Sequence, residues 1–121
     1  MGKRQQAYFR KKLVDWREEI IAETRETLAA LNEKPENFAD VADRATSEAD
    51  RALELRARDR QRKLISKIES ALRRIDEGEY GYCEVTGEPI GVARLDARPI
   101  ATMSVEAQER HEKRERVFRD D

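Results

Sequence analysis

Along the first quarter of the chain, apolar or small residues recur at Leu13, Trp16, Ile20, Thr24, Thr27 and Leu31. Steps of three and four residues predict a helix from about Phe9 to Leu31 with one buried seam. Pro35 and Asn37 end it, because proline cannot continue a helix and biases Lys34 away from helical geometry. A second pattern starts near Asp40, with a seam of Ala42, Ala45, Ala49, Leu53, Ala57, Leu64, Ile68, Ala71 and Ile75. It ends near Glu77, where Gly78 takes the usual C-terminal position. Two long helices joined by a short loop pack antiparallel, so residues 9–77 are expected to form a coiled-coil hairpin with its tip near residues 33–45. At the helical rise per residue, such an arm reaches roughly 35 Å. Alanine dominates the seam towards the tip and allows close helix approach. Leucine, isoleucine and tryptophan dominate it towards the base.

The periodicity then stops. Four of the five glycines and two of the three prolines lie between residues 78 and 99, which predicts turns and short strands. From Ser104, a plausible N-cap, a last helix is expected to about Arg119, docking through Val105, His111 and Phe118. The expected organisation is a basic segment at 1–8, the hairpin at 9–77, a finger-like globule at 78–103 and a C-terminal helix at 104–121. The fold class is mostly α.

Composition narrows the function. With 42% charged and 6% aromatic residues in 121, a large spherical core is not available, whereas long helices with a narrow seam are. The net charge is −1, but it is unevenly spread. Lys3, Arg4, Arg10, Lys11 and Lys12 form a basic start, and residues 33–50 hold six acids against Lys34 and Arg44. Arg56, Arg58, Arg60, Arg62 and Lys63 then surround a single Asp59. Such blocks suit a solvated surface or a charged macromolecular partner. The basic run has no interleaved aromatic to stack bases, which argues against a nucleic-acid-binding finger and sequence-specific DNA binding. No apolar run approaches the roughly 20 residues of a membrane span, no signal-peptide core follows the basic start, and one cysteine excludes an intramolecular disulfide. A cytoplasmic protein is expected. There is no Ser-His-Asp set, Walker loop or HExxH motif, so no enzyme is expected.

The segment after residue 80 reads like a four-cysteine zinc ribbon that has lost its metal. Cys83-Glu-Val-Thr86 opens as a Cys-x-x-Cys knuckle would, with Thr86 in the second ligand position. The return knuckle is Ser104-Val-Glu-Ala107. Structural zinc needs four soft or borderline ligands, and Cys83 with His111 cannot close that shell. No zinc is expected, and packing around Val85, Ile90, Val92, Leu95 and Met103 is expected to replace it. Cys83 alone reads as a small buried hydrophobe.

The frame Tyr80-Gly-Tyr-Cys83, Gly87-Glu-Pro-Ile-Gly91, Arg94-Leu-Asp-Ala-Arg98-Pro99 resembles the C-terminal finger of the DksA/TraR family of bacterial transcription factors. Asn37-Phe-Ala-Asp40-Val-Ala-Asp43-Arg44-Ala45 resembles the acidic tip of that family's coiled coil. Leu55 to Ile65 resembles the start of its returning helix. The resemblance covers roughly three quarters of the chain. It implies a monomeric regulator of transcription initiation that binds RNA polymerase through the secondary channel. The tip residues Asp40, Asp43 and Ala45 would then act near the active site, and Asn37 and Arg60 would dock on polymerase. It also implies guanosine tetraphosphate (ppGpp) as co-regulator in the stringent response, near Leu64, Lys67 and Arg98. Gln108 stands where a basic residue would be expected. Ribosomal RNA promoters would be repressed and some biosynthetic promoters activated. Rival readings are a helical adaptor or oligomerisation module and a nucleic-acid-binding finger, with a transcript-cleavage factor using the same channel as a minor alternative.

Overall fold

The computed structural model describes residues 1–33 and 41–120. Four helices follow in order: α1 (Lys3–Glu33), α2 (Val41–Glu77), α3 (Val92–Ala97) and α4 (Val105–Asp120). Among the described residues there is no strand, only an isolated antiparallel bridge between Tyr82 and Pro89. The fold is mostly helical and carries the expected antiparallel hairpin of α1 and α2. Arg10 pairs with Asp76, and Thr24 meets Gln61 further along α1, so the numbers rise on one helix as they fall on the other.

α1 begins earlier than the seam suggested. Lys3, Arg4, Gln5, Gln6 and Ala7 are good helix formers, and the Gln6 amide already bonds the Gly2 carbonyl at 3.0 Å. The basic stretch is therefore the first turns of the helix. α2 ends as expected at Gly78, whose φ of 75° places it in the left-handed region. The Gly78 amide bonds the Ile75 carbonyl, and the Glu79 and Tyr80 amides share that of Arg74.

The chain divides into two compact units, Met1–Leu13 with Ile68–Asp121, and Val14–Lys67. The first holds most of the buried side chains: Phe9 and Leu13 from α1, Ile68, Ala71, Leu72 and Ile75 from α2, then Tyr80, Cys83, Ile90, Leu95, Ala101 and Ala107. Tyr80 joins the segments, its ring 5.7 Å from Phe9 and its hydroxyl donating to the Pro99 carbonyl at 2.8 Å. Burial pushes the Tyr80 phenol up to about 12, against a smaller opposing pull from Arg74.

In the Val14–Lys67 unit, Ile20 is the one buried hydrophobe among the described residues. Trp16, Thr24 and Thr27 are half-buried, as are Ala57, Gln61 and Leu64 opposite them. The α2 seam departs from expectation towards the tip, where Leu53 is 60% exposed and Ala49 is exposed, while Ser47 and Glu54 are half-buried. A helix turns about 100° per residue, so each step of four over-rotates by about 40°. The expected series 45, 49, 53, 57 takes three such steps running and drifts off the seam. Alternating steps back from Ala57 reach Glu54 and Ser47 instead.

Candidate functional site

The finger is built on a tight hairpin. The Ile90 amide bonds the Gly81 carbonyl at 2.7 Å, and the Cys83 amide bonds that of Glu88 at 2.8 Å. The turn closes with the Gly87 amide on the Cys83 carbonyl, and Gly87 takes a φ of 74°. Gly81 also needs its freedom: at φ 91°, a Cβ there would lie 2.8 Å from Met1 Cε. The Glu84 amide ties the turn to the Thr102 carbonyl at 2.8 Å. Ser104 caps α4 as expected, accepting the Ala107 amide on its hydroxyl at 3.2 Å.

Cys83 is 2% exposed inside this frame. The Ser104 amide points at its sulfur from 3.4 Å. A hydrogen bond from Thr86, first, and the Ser104 amide lower its thiol to about 6, against burial, which raises it. The backbone therefore keeps the donor pattern of a metal knuckle around one sulfur. The other three positions do not fit zinc. The Thr86 and Ser104 hydroxyls already accept the Glu88 and Ala107 amides, and Ala107 offers only a buried methyl. Among the described residues, no group of three His, Cys, Asp or Glu could hold a metal ion. His111 lies exposed on α4 beside Glu115, at 3.1 Å.

Two packing expectations need correction. Val85 and Val92 are 64% and 51% exposed, whereas Ile90 and Leu95 are buried. In a turn-rich segment no period tells one face from the other. α4 docks through Ala107, with Val105 and His111 exposed, because the cap at Ser104 turns the Ala107 face inward. The Phe118 side chain lies outside the described residues.

α3 carries the cationic part of the finger. The Arg94 Nε donates to the Met103 carbonyl at 2.8 Å, and the Arg98 amide caps the helix on the Arg94 carbonyl. Arg94, Arg98 and Arg110 line an open cleft of about 710 Å³, together with Glu88, Glu106 and an apolar surface that includes Pro89 and Val105. Gln108 is half-buried and donates to Glu112 at 3.2 Å. Outside the cleft lining, Asp96 accepts hydrogen bonds from the Tyr8 hydroxyl at 2.5 Å and the Lys12 ammonium at 2.7 Å. These contacts hold the Asp96 carboxyl below its ordinary range, Lys12 first, and raise both Lys12 and Tyr8. No motif joins Tyr8 and Lys12 to Asp96, which lies far from them in the chain. The only local sign is the helical spacing of Tyr8 and Lys12.

Leu64 is half-buried and Lys67 exposed on α2, both in the Val14–Lys67 unit, whereas Arg98 belongs to the other unit. Arg60 is exposed among Arg56, Arg58, Arg62 and Lys63, and Lys63 pairs with Asp59 at 3.4 Å. Asn37 and Asp40 lie outside the described residues. Asp43 and Ala45 fall on the first turns of α2, with side chains also outside them.

Residues 5–75 match the family described as DnaK suppressor protein DksA, N-terminal domain, and residues 78–113 match the prokaryotic dksA/traR C4-type zinc finger. The chain belongs to the DksA family. It is 70% identical over all 121 residues to the RNA polymerase-binding transcription factor DksA of Caulobacter vibrioides NA1000, covering 85% of that protein. The protein of the same name in Haemophilus influenzae is 45% identical over 116 residues, 96% of this chain and 80% of its own. The structure of transcription factor DksA2 from Pseudomonas aeruginosa superposes with a TM-score of 0.85 at 44% identity, over 95% of this chain and 88% of that one. In place of the C4 set, this chain has one cysteine.

Proposed function

We propose that this protein regulates transcription initiation in the cytoplasm by binding RNA polymerase directly; its relatives are named RNA polymerase-binding transcription factors. The observation that carries the reading is 70% identity along the whole chain to a protein named for polymerase binding. The hairpin enters the secondary channel as a monomer and brings Asp40, Asp43 and Ala45 near the active site, where carboxylates meet bound Mg²⁺ and basic groups. Asn37 and the exposed Arg60 dock on polymerase, Arg60 from the basic face of α2. The co-regulator ppGpp binds near Leu64, Lys67 and Arg98, where cations meet its phosphates through charge-assisted hydrogen bonds. The finger works without zinc. The protein acts through polymerase, not as an enzyme and not through sequence-specific DNA contacts.

The test is in vitro transcription from a ribosomal RNA promoter with purified polymerase, with and without ppGpp. Inhibition that deepens with ppGpp supports the reading. Absence of inhibition, or steeply salt-dependent binding to promoter DNA without polymerase, would sink it.

A further inference from the structure

We propose that Tyr8 and Lys12 are positioning residues: they grip Asp96 and so set the direction of α3 and of the arginine at its end. This rests on the reading of Arg98 as a ppGpp contact.

α3 has six residues, too few to stand as a helix without tertiary support. Its placement must come from outside contacts. Leu95 supplies one, fully buried beneath the helix. Asp96, the next residue, is exposed and held by α1. Its Oδ1 takes both the Tyr8 hydroxyl and the Lys12 ammonium, and Lys12 also donates to the Asp96 carbonyl at 2.6 Å. That carbonyl belongs to the last turn, where acceptors lack intrahelical partners and favour a cation. The Lys12 ammonium also lies 5.8 Å from the centre of the Tyr8 ring, so the three groups form one cluster. Arg98 is then bracketed. Before it, Asp96 is fixed to α1, and after it, the Pro99 carbonyl accepts the buried Tyr80 hydroxyl.

Asp96 is exposed, and an exposed ion pair adds little to global stability. Its effect falls on orientation. Removing the grip leaves Leu95 buried and the finger folded, but lets the exposed end of α3 turn about its buried side. The Arg98 guanidinium then samples several directions, and a polyphosphate must order it on binding.

The experiment compares the full protein with Tyr8→Phe/Lys12→Met in two readouts. The first is hydrogen exchange of the Arg98 amide, which bonds the Arg94 carbonyl at 2.7 Å. The second is the affinity of ppGpp for the polymerase complex, measured beside the affinity of the protein for polymerase. The expected result is about fivefold faster Arg98 exchange and about fivefold weaker ppGpp binding, with polymerase affinity unchanged. The swapped pair Lys12→Asp/Asp96→Lys should restore part of both. Wild-type exchange and ppGpp affinity in the double variant would overturn the proposal, as would an equal loss of polymerase affinity. Arg98→Ala separates the two claims. If it leaves ppGpp binding intact, the Arg98 reading fails, and the positioning claim is decided by exchange and its rescue alone. If it weakens ppGpp binding while the double variant does not, positioning fails and the Arg98 reading stands.

Discussion

The two units of this chain are stabilised in different ways. The finger unit buries Phe9, Leu13, Ile68, Leu95 and Cys83 almost completely, and Tyr80 spends its one hydroxyl on a backbone carbonyl. The Val14–Lys67 unit has Ile20 as its one buried hydrophobe among the described residues, plus a half-buried seam in which Thr24 lies 2.7 Å from Gln61. Dense apolar packing fixes the shape of a site. A thin, partly polar seam leaves most side chains of that unit exposed. The proposed division of labour follows, with the finger unit presenting cations and the hairpin carrying the acidic tip.

Truncating the finger core should break the contrast most severely. Leu95→Ala is expected to cost about 2–5 kcal/mol by chemical denaturation, since the side chain has no exposed surface and its cavity cannot easily collapse. Gly81→Ala should cost about 1–3 kcal/mol, chiefly from the positive φ, because Met1 Cε is the flexible end of a side chain that can move aside. Thr24→Val tests the other unit. One hydroxyl proton serves either the Ile20 carbonyl at 2.8 Å or Gln61, so the loss should be only about 0.5–1.5 kcal/mol.

A different kind of effect concerns pH. The folded-state pKa of Cys83 is lowered from the ordinary 9.0 to about 6. Its contribution is therefore full above the ordinary value, shrinks as pH falls between the two, and is gone below about 6. The denaturation midpoint should rise with pH across that window, and Cys83→Ser should flatten the rise. An unchanged slope in the variant would remove the thiolate from the account.

What the sequence revealed was local. The stop at Gly78 and the cap at Ser104 depend on neighbouring residues, and each is where the pattern places it. Alanine weakens the signal towards the tip, so the period places Leu53 in a seam that Glu54 occupies. α3 was missed because six residues between glycine and proline carry no period. The ligand positions could be read as chemistry, since Thr86, Ser104 and Ala107 cannot replace three thiolates. The backbone cradle around Cys83 and the grip on Asp96 could not, because both join segments distant in sequence.

The central claim is that the acidic tip acts and the remainder positions it. The most direct measurement is polymerase affinity and ribosomal RNA promoter inhibition, side by side, for Asp43→Asn and the unaltered protein. The account predicts equal affinity with inhibition lost. Full inhibition by the variant would contradict it.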